Sequence, residues 1–344
     1  MNDTYKGVIP VGHTYIRDSI LEKGNIFGVT GKKSAWAKDL NLPKKAEYTF
    51  FAGCGYQLMR YAGGMMGAIK TAGKMGIGMD RMIGVSKAFG KVGVDVTGIV
   101  GKVTSAGKED PYTKVLANAV SVLRKLGVDL GYLYEDEPCC GSPLYYAGFL
   151  DEYIENAQKN YELFKSLGVK KIVGVIPACT GSLKNLYPKL VDGYDIEVKH
   201  FLEVVAEKLR DSNIRPKLKE KKVITYHDPC QLSRYLNITT EPREIISRVE
   251  GLEVREPEAM QKGEWSTCCG GGGGMEVCFP ELSERLAVRR VEELLATGAD
   301  IIATSCPACE LQLLKGIDKV KTDIKVVDLA EILDEALEEG QLAK

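Results

Sequence analysis

Short apolar runs alternate with longer amphipathic segments along most of the chain. Residues 172–175 and 301–303 are brief runs of isoleucine, valine, alanine and glycine, which predict buried β-strands. Each run follows a longer segment, 151–167 or 281–297, whose apolar side chains recur at helical spacing and which leads to a glycine. Strands that alternate with amphipathic helices in this way predict parallel sheets built from βαβ units.

The pattern occurs twice. The segment 166–180 resembles 296–310, and a Cys-Cys-Gly triplet precedes each copy, at 139–141 and at 268–270. Each copy also begins with an apolar run that ends in a cysteine. The predicted unit is therefore strand–Cys, helix, strand–Cys-Cys-Gly, helix, strand–x-Pro-x-Cys, helix, present in duplicate.

This duplication predicts an α/β fold with two pseudo-symmetric βαβ repeats, each a Rossmann-like lobe with a parallel sheet. The expected boundaries are an N-terminal arm over 1–46, a first repeat over 47–215 and a second repeat over 216–344. The first repeat is longer, because 84 residues separate its first cysteine from its Cys-Cys pair, against 37 in the second. We interpret residues 57–108 as the insertion that makes this difference.

Composition places the chain among ordinary globular proteins. It has 344 residues, of which 44% are hydrophobic and 27% charged, and a formal net charge of −1, which gives no reason to expect nucleic-acid binding. No uncharged apolar stretch is long enough to span a membrane, and residues 1–30 lack the apolar core of a secretory signal. These features predict a cytoplasmic location.

The ten cysteines are the most informative part of the composition. In a chain without an export signal, clustered thiols are more often metal ligands or redox catalysts than disulfides. Ligands of parallel sheets bind at the carboxyl ends of strands. The motif cysteines are predicted at those ends, so we expect them to converge on sites.

The second repeat supplies five thiols to one site. A mononuclear zinc site and a cubane iron–sulfur cluster each take four protein ligands, so five cysteines favour an unusual cluster. Five consecutive glycines, 270–274, allow the backbone to approach such a cluster closely. The alternative is a zinc site with one spare thiol. The five cysteines are Cys230, Cys268, Cys269, Cys306 and Cys309.

The duplicated pattern Cys…Cys-Cys-Gly…Cys-Pro-x-Cys resembles the cysteine-rich CCG-domain family. That family includes B- and D-type heterodisulfide reductase subunits and iron–sulfur subunits of lactate- and glycerol-phosphate-oxidising systems. The resemblance covers most of residues 25–335 and includes the run Tyr-His-Asp-Pro-Cys at 226–230. It implies a noncubane [4Fe-4S] cluster on the five cysteines of the second repeat, where a disulfide is cleaved in two one-electron steps.

The first repeat departs from the family pattern. Its cysteines are Cys54, Cys139, Cys140 and Cys179, whereas Ile176 stands at the position that matches Cys306. Four thiols are the number that zinc requires, and in some relatives the first motif is described as a zinc site. Zinc, an altered cluster and no bound group all remain open, and zinc or no cluster is favoured over a second noncubane cluster.

Four further residues draw attention. His227 lies three residues before Cys230, and a histidine that titrates near neutral pH suits the proton transfer that disulfide reduction needs. The alternative is that His227 only hydrogen-bonds a loop. Asp136 and Glu137, beside the first Cys-Cys pair, are expected to be solvated, and Cys278 matches no repeat position.

Electrons are expected to come from a partner. The chain has neither a ferredoxin-type cysteine run nor a well-placed G-x-G-x-x-G dinucleotide motif, so we expect a ferredoxin-like iron–sulfur subunit to supply them. The arm over 1–46 is interpreted either as the segment that grips this partner or as a structural arm.

The insertion over 57–108 carries eight basic residues against two acidic ones, twelve glycines and six methionines. It is interpreted either as a surface loop or as a docking segment for a membrane cytochrome subunit or an anionic membrane surface. The second interpretation would place the protein on the inner face of the cell membrane.

The expected function is the catalytic iron–sulfur subunit of a heterodisulfide reductase-like complex, which reduces a disulfide or oxidises thiols. Two alternatives belong to other classes. One is an electron-transfer subunit of a lactate- or glycerol-phosphate-type dehydrogenase complex. The other is a zinc-bearing scaffold subunit.

Overall fold

The computed structural model describes residues 9–30, 33–62 and 110–337. An N-terminal helix, α1 (Val11–Lys23), precedes the first half, and the described residues 53–62 belong to a helix, α2. The main further elements of the first half, apart from several short helical turns, are β1 (Tyr48–Phe51), α3 (Pro111–Lys125), β2 (Leu130–Tyr132), α4 (Ser142–Tyr146), α5 (Leu150–Leu167), β3 (Lys171–Gly174), α6 (Pro177–Gly181), β4 (Glu197–His200) and α7 (Phe201–Arg210).

The second half repeats this sequence of elements. Its strands and helices are β5 (Lys217–Tyr226), α8 (Glu241–Arg248), β6 (Glu250–Val254), α9 (Met275–Cys278), α10 (Pro280–Leu295), β7 (Ile301–Thr304), α11 (Pro307–Val320), β8 (Lys325–Asp328) and α12 (Leu329–Ala336).

Each half builds one four-stranded sheet with the same topology. The strand orders are β2-β1-β3-β4 and β6-β5-β7-β8, and every neighbouring pair of strands is parallel. The predicted α/β fold with two similar parallel-sheet repeats is thereby confirmed. The predicted helices over 151–167 and 281–297 correspond to α5 and α10, and the predicted strands correspond to β3 and β7.

The last strand of each sheet leads into its helix through the same kind of cap. The imidazole Nδ1 of His200 accepts a hydrogen bond from Leu202 N, and a side-chain oxygen of Asp328 accepts one from Ala330 N. In both caps a glutamate three residues later accepts the backbone N–H of the capping residue, which completes a capping box. Burial lowers the pKa of His200 to about 3 and raises that of Asp328 to about 7.

The two halves share one hydrophobic core. Buried side chains of both halves belong to it, among them Phe50 in β1 and Leu333 in α12. Helix α12 of the second half packs against α3 of the first, where Lys125 Nζ lies 2.9 Å from a carboxylate oxygen of Asp334. The halves are therefore joined by apolar packing as well as by polar contacts.

The structure adds details that the repeat pattern did not predict. Strands β4 and β8 extend each sheet beyond the predicted three-strand unit. The Cys-Cys pairs also do not follow a strand directly, because β2 ends at Tyr132 and β6 ends at Val254, so each pair lies on a longer loop.

The described parts of the arm over 1–46 pack against the protein. The imidazole of His13 in α1 hydrogen-bonds the carbonyl of Gly273, and the indole of Trp36 packs against the rings of Phe50 and Tyr132. The predicted insertion over 57–108 lies outside the described residues except for 57–62, which are part of α2. Among the described helices, none has the length and apolar character needed to cross a bilayer.

Candidate metal centres

A cavity of about 300 Å³ lies where the motif cysteines of the two halves meet. Thiols from both halves border it, together with the glycine run 271–274 and apolar side chains of the N-terminal segment such as Ile16 and Phe27. The cysteines that line it are Cys54, Cys139, Cys140, Cys179, Cys230, Cys306 and Cys309.

The five predicted thiols of the second half form one continuous group, which we call site two. Side-chain contacts link Cys230 to Cys268, Cys268 to Cys269, Cys269 to Cys309 and Cys309 to Cys306. All five are free thiols. Cys269 and Cys309 are buried, whereas the other three are half-buried, so site two is accessible from one side.

Backbone N–H groups favour the thiolate form at two of these positions. Contact with Cys230 lowers the pKa of Cys268, which also accepts the N–H of Gly270 at 3.4 Å. Contact with Cys309 lowers the pKa of Cys306, which stands at the N-cap position of α11, where the backbone N–H groups of Ala308 and Cys309 favour its thiolate form as well. The pKa values of the three remaining thiols are raised by contact with these neighbours. Neighbouring sulfurs and backbone N–H groups therefore favour the thiolate form at Cys268 and Cys306 over the other three positions.

The glycines beside site two are required by close packing. A Cβ on Gly271 would lie 2.8 Å from the carbonyl oxygen of Ala308 and from a side-chain carbon of Gln312. Gly270 has a φ of +82°, and a Cβ there would lie 2.4 Å from the carbonyl oxygen of Ser283. The run can lie this close to α10 and α11 only because it lacks side chains.

The four thiols of the first half form a second group, site one. Sγ of Cys54 lies 3.9 Å from Sγ of Cys139, and Sγ of Cys140 lies 3.1 Å from Sγ of Cys179. All four are buried. The carbonyl of Cys139 accepts hydrogen bonds from the side chains of Asn156 and Asn160, which fixes the loop that carries the Cys-Cys pair.

Ile176 occupies the position of the missing fifth thiol. Its side chain is buried and packs against the turn after β1, where a Cβ on Gly53 or Gly55 would lie within 3 Å of its Cδ1 atom. Site one is thus closed by an apolar side chain where site two has Cys306.

The expectation that Asp136 and Glu137 are both solvated is half wrong. Asp136 is exposed and pairs with Lys44, but Glu137 is buried. Its carboxylate accepts the backbone N–H groups of Ala52 and Gly53 at 2.7 and 2.9 Å, and burial raises its pKa to about 7. Glu137 therefore holds the turn that presents Cys54.

His227 is buried beside site two. One of its ring nitrogens lies within 4.8 Å of the sulfurs of Cys269 and Cys309. Its Nδ1 accepts a hydrogen bond from Arg290 Nε at 2.9 Å, and its Nε2 has no hydrogen-bond partner. Burial, reinforced by the charge of Arg290, lowers the pKa of His227 well below its usual range. The neighbouring Asp228 binds Arg243 through both carboxylate oxygens.

The sequence interpretation missed Arg290. The residue lies on the buried face of α10 with Ala287, Val291 and Leu294 and is itself fully buried. A charged residue among these apolar positions was the available signal, since a buried arginine needs a specific partner.

The family model for the cysteine-rich domain, CCG, matches residues 104–184 and 224–314, half of the chain. The chain belongs to the CCG cysteine-rich domain family. The two matched segments contain eight of the nine cysteines of sites one and two, all but Cys54.

Several curated CCG relatives are oxidoreductases by name. The D-type subunit of dihydromethanophenazine:CoB–CoM heterodisulfide reductase from Methanosarcina mazei is 36% identical over 63% of this chain and 53% of its own length. EtfAB:quinone oxidoreductase of Syntrophomonas wolfei is 32% identical over 67% of this chain and 33% of its own length. The B-type subunit of fumarate reductase (CoM/CoB) from Methanothermobacter marburgensis is 32% identical over 62% and 42%. The chain thus spans about half the length, or less, of these relatives.

The CCG residues fit different groups in the two halves. Site two offers five free thiols, backbone N–H donors and close glycine backbone, a set suited to a thiolate-ligated iron–sulfur cluster. Site one offers four buried thiols. Sulfurs of a tetrahedral zinc site are about 3.8 Å apart, given a Zn–S distance of about 2.3 Å. The separation of 3.9 Å between Cys54 and Cys139 matches this, and the 3.1 Å between Cys140 and Cys179 would have to widen.

Proposed function

We propose that this chain is an iron–sulfur subunit of a heterodisulfide reductase-like oxidoreductase, which reduces a disulfide or oxidises thiols at site two. Cys230, Cys268, Cys269, Cys306 and Cys309 would bind a noncubane [4Fe-4S] cluster there. The observation that carries this proposal is the fifth thiol, because four would satisfy either a zinc ion or a cubane cluster. The names of the relatives, which include a heterodisulfide reductase, support the same class of reaction.

When bound, such a cluster would supply one-electron redox chemistry and iron atoms with affinity for sulfur. The chain's own residues prepare the place for it. The N–H of Gly270 and the N–H groups at the start of α11 stabilise negative charge on sulfur. The half-buried thiols leave site two partly accessible to an incoming S–S bond, and the apolar side chains of Ile16, Phe27 and Val277 line the adjoining cavity.

Site one is proposed to bind zinc. Ile176 removes the fifth thiol, and the remaining four are buried and held by Glu137, Asn156 and Asn160. A closed site with four cysteine ligands and no open position is typical of structural zinc. In this role site one would stabilise the wall of the cavity opposite site two.

The electron donor is proposed to be a ferredoxin-like iron–sulfur subunit that docks on this chain. Electrons would arrive singly, since each step at an iron–sulfur cluster transfers one. Docking of residues 57–108 on a membrane cytochrome subunit or on the membrane surface is proposed as well, on the basis of their basic, methionine-rich composition.

The proposal is tested with protein purified without oxygen. Iron, labile sulfide and zinc are measured per chain, and the electron paramagnetic resonance (EPR) spectrum is recorded with and without candidate thiols and disulfides. We expect an iron–sulfur spectrum that changes when a thiol binds under oxidising conditions. Cys269→Ser should lose that spectrum, and Cys278→Ser is the matched control, because Cys278 belongs to neither site.

Each other outcome favours a named alternative. Iron without any spectral response to thiols or disulfides would point to an electron-transfer subunit of an organic-acid dehydrogenase complex. Zinc without iron or sulfide would point to a scaffold subunit. A full iron–sulfur spectrum in Cys269→Ser would remove that residue from the site.

A further inference from the structure

Arg290 is fully buried, and its positive charge and hydrogen-bond donors are only partly matched by neighbouring groups. Its Nε donates to His227 Nδ1 at 2.9 Å, and its Nη1 donates to the carbonyl of Gln261 and to a carboxylate oxygen of Glu293. Its Nη2 is buried without any hydrogen-bond partner. Burying a charge costs several kcal/mol or more unless opposite charge lies nearby.

The nearby acids are largely engaged by other cations. Glu293 also accepts a hydrogen bond from Arg289 Nε at 3.0 Å, so its one negative charge is shared between two guanidinium groups. Asp228 is bound by Arg243 through both of its oxygens. Arg290 also lies close to site two, since its partner His227 is within 4.8 Å of the sulfurs of Cys269 and Cys309, so negative charge on a group bound there would act on it.

The contact with Arg290 fixes the orientation of His227. A guanidinium can only donate, so Nδ1 must be the unprotonated acceptor and the ring hydrogen resides on Nε2. Because Nδ1 is engaged by Arg290, Nε2 is the ring nitrogen that remains to donate a hydrogen bond, and a ring nitrogen of His227 lies within 4.8 Å of the sulfurs of Cys269 and Cys309. The result is an N–H donor beside site two, hydrogen-bonded on its other side to a permanent positive charge.

The first half lacks both members of this pair. By the repeat alignment, Phe51 stands in place of His227 and Asn160 in place of Arg290. Phe51 cannot donate a hydrogen bond, and the Asn160 side chain is neutral and donates to the carbonyl of Cys139 instead. The pair is therefore a feature of the site with five thiols and not of the shared fold.

We infer that Arg290, acting through His227, is a positioning residue that sets the reduction potential of the group bound at site two. Hydrogen bonds and positive charge at cluster sulfurs stabilise the more negative, reduced state and so raise the potential. The inference rests on the proposed function, because it takes an iron–sulfur cluster as the occupant. It adds two residues that bind no metal but decide how readily site two accepts an electron.

The test is an anaerobic redox titration of the full chain, with the midpoint potential followed by EPR. Arg290→Gln should lower the equilibrium constant for reduction at least tenfold, which is about 59 mV for a one-electron couple. Arg290→Lys, which keeps the charge, should retain most of the wild-type potential. Arg289→Gln is the matched control, since that side chain is exposed and binds the same Glu293.

Three further variants keep the inference testable if Arg290→Gln does not fold. Glu293→Gln removes the carboxylate that competes for Arg290, so the potential should rise. His227→Phe copies the first half and should lower the potential, whereas His227→Gln retains an N–H donor and should lower it less.

Failure of this inference differs from failure of the proposed function. A wild-type chain without iron would refute the proposed function. A normal cluster whose potential is the same in Arg290→Gln, Glu293→Gln and His227→Phe would refute only the role of the pair.

Discussion

Ile176 holds in the first half the position that Cys306 holds in the second. Each follows the third strand of its sheet and stands directly before a proline that begins a helix. The Cys306 sulfur joins the thiols of site two, whereas the Ile176 side chain packs against Gly53 and Gly55. One side chain thus separates a four-thiol from a five-thiol site on the same backbone.

Ile176→Cys should therefore change what site one binds. The variant supplies the fifth thiol, and we expect the iron content after anaerobic reconstitution to rise by about four per chain, with loss of zinc. Ile176→Ser introduces a side chain of nearly the same shape as cysteine but without a thiol, and it serves as the control. Metal analysis decides the question: equal iron and zinc contents in the two variants would show that Ile176 does not determine the occupant.

Gly271→Ala should disrupt site two without touching a cysteine. The added Cβ would meet the Ala308 carbonyl at 2.8 Å and push the glycine run away from α11. We expect reduced iron incorporation and a loss of about 1–3 kcal/mol in the free energy of unfolding. In Gly181→Ala the new methyl would find only Leu236, at 3.9 Å, so this control should keep its iron. Equal iron in both variants would contradict the prediction.

Asp328 should make stability depend on pH. Burial raises its pKa to about 7, so between pH 4 and pH 7 the folded chain holds a proton that the unfolded chain has released. The carboxyl therefore costs stability progressively as the pH rises through that window. Asp328→Asn keeps a side-chain acceptor for Ala330 N and removes the titration. From pH 4 to pH 8, the unfolding free energy of the variant relative to wild type should increase by up to about 4 kcal/mol.

Chemical denaturation of the reduced chain at several pH values measures this difference. The comparison between variant and wild type cancels the titration of distant groups. A difference that stays constant from pH 4 to pH 8 would mean that Asp328 titrates at its ordinary value.

Truncation of Glu137 should cost much more stability than truncation of its neighbour Asp136. Glu137→Ala leaves the buried N–H groups of Ala52 and Gly53 without an acceptor, which should cost about 2–4 kcal/mol of stability and weaken zinc binding at site one. Asp136→Ala removes only an exposed ion pair and should change stability by less than about 1 kcal/mol. Urea unfolding and competition with a chelator measure the two effects, and similar values for both variants would argue against the role of Glu137.

The sequence predicts most of the fold because apolar periodicity is strong in the central elements. Strand β3 is apolar where it is buried, β7 is apolar except for Thr304 at its end, and α5 and α10 carry clear helical stripes. Strand β4 escapes prediction because Glu197-Val198-Lys199-His200 is short, and only Val198 and His200 are buried. Such a segment depends on pairing with β3 and has little preference of its own.

The site is predictable only in part, for a different reason. The spacing and duplication of the cysteines identify all nine motif thiols in the sequence. The residues that contact those thiols form no repeated pattern. Arg290 and His227 are 63 positions apart, and Glu137 lies far along the chain from the backbone it binds, so only the folded chain shows these contacts.

Most of the extra residues of the first half lie in sequence between Ala62, whose side chain lines the cavity, and Asp110, which caps α3. Chain length therefore differs between the two halves after a helix that borders the cavity, while both sheets keep their strand order. Members of one family can in this way keep a metal-binding frame and vary the loops that join its elements.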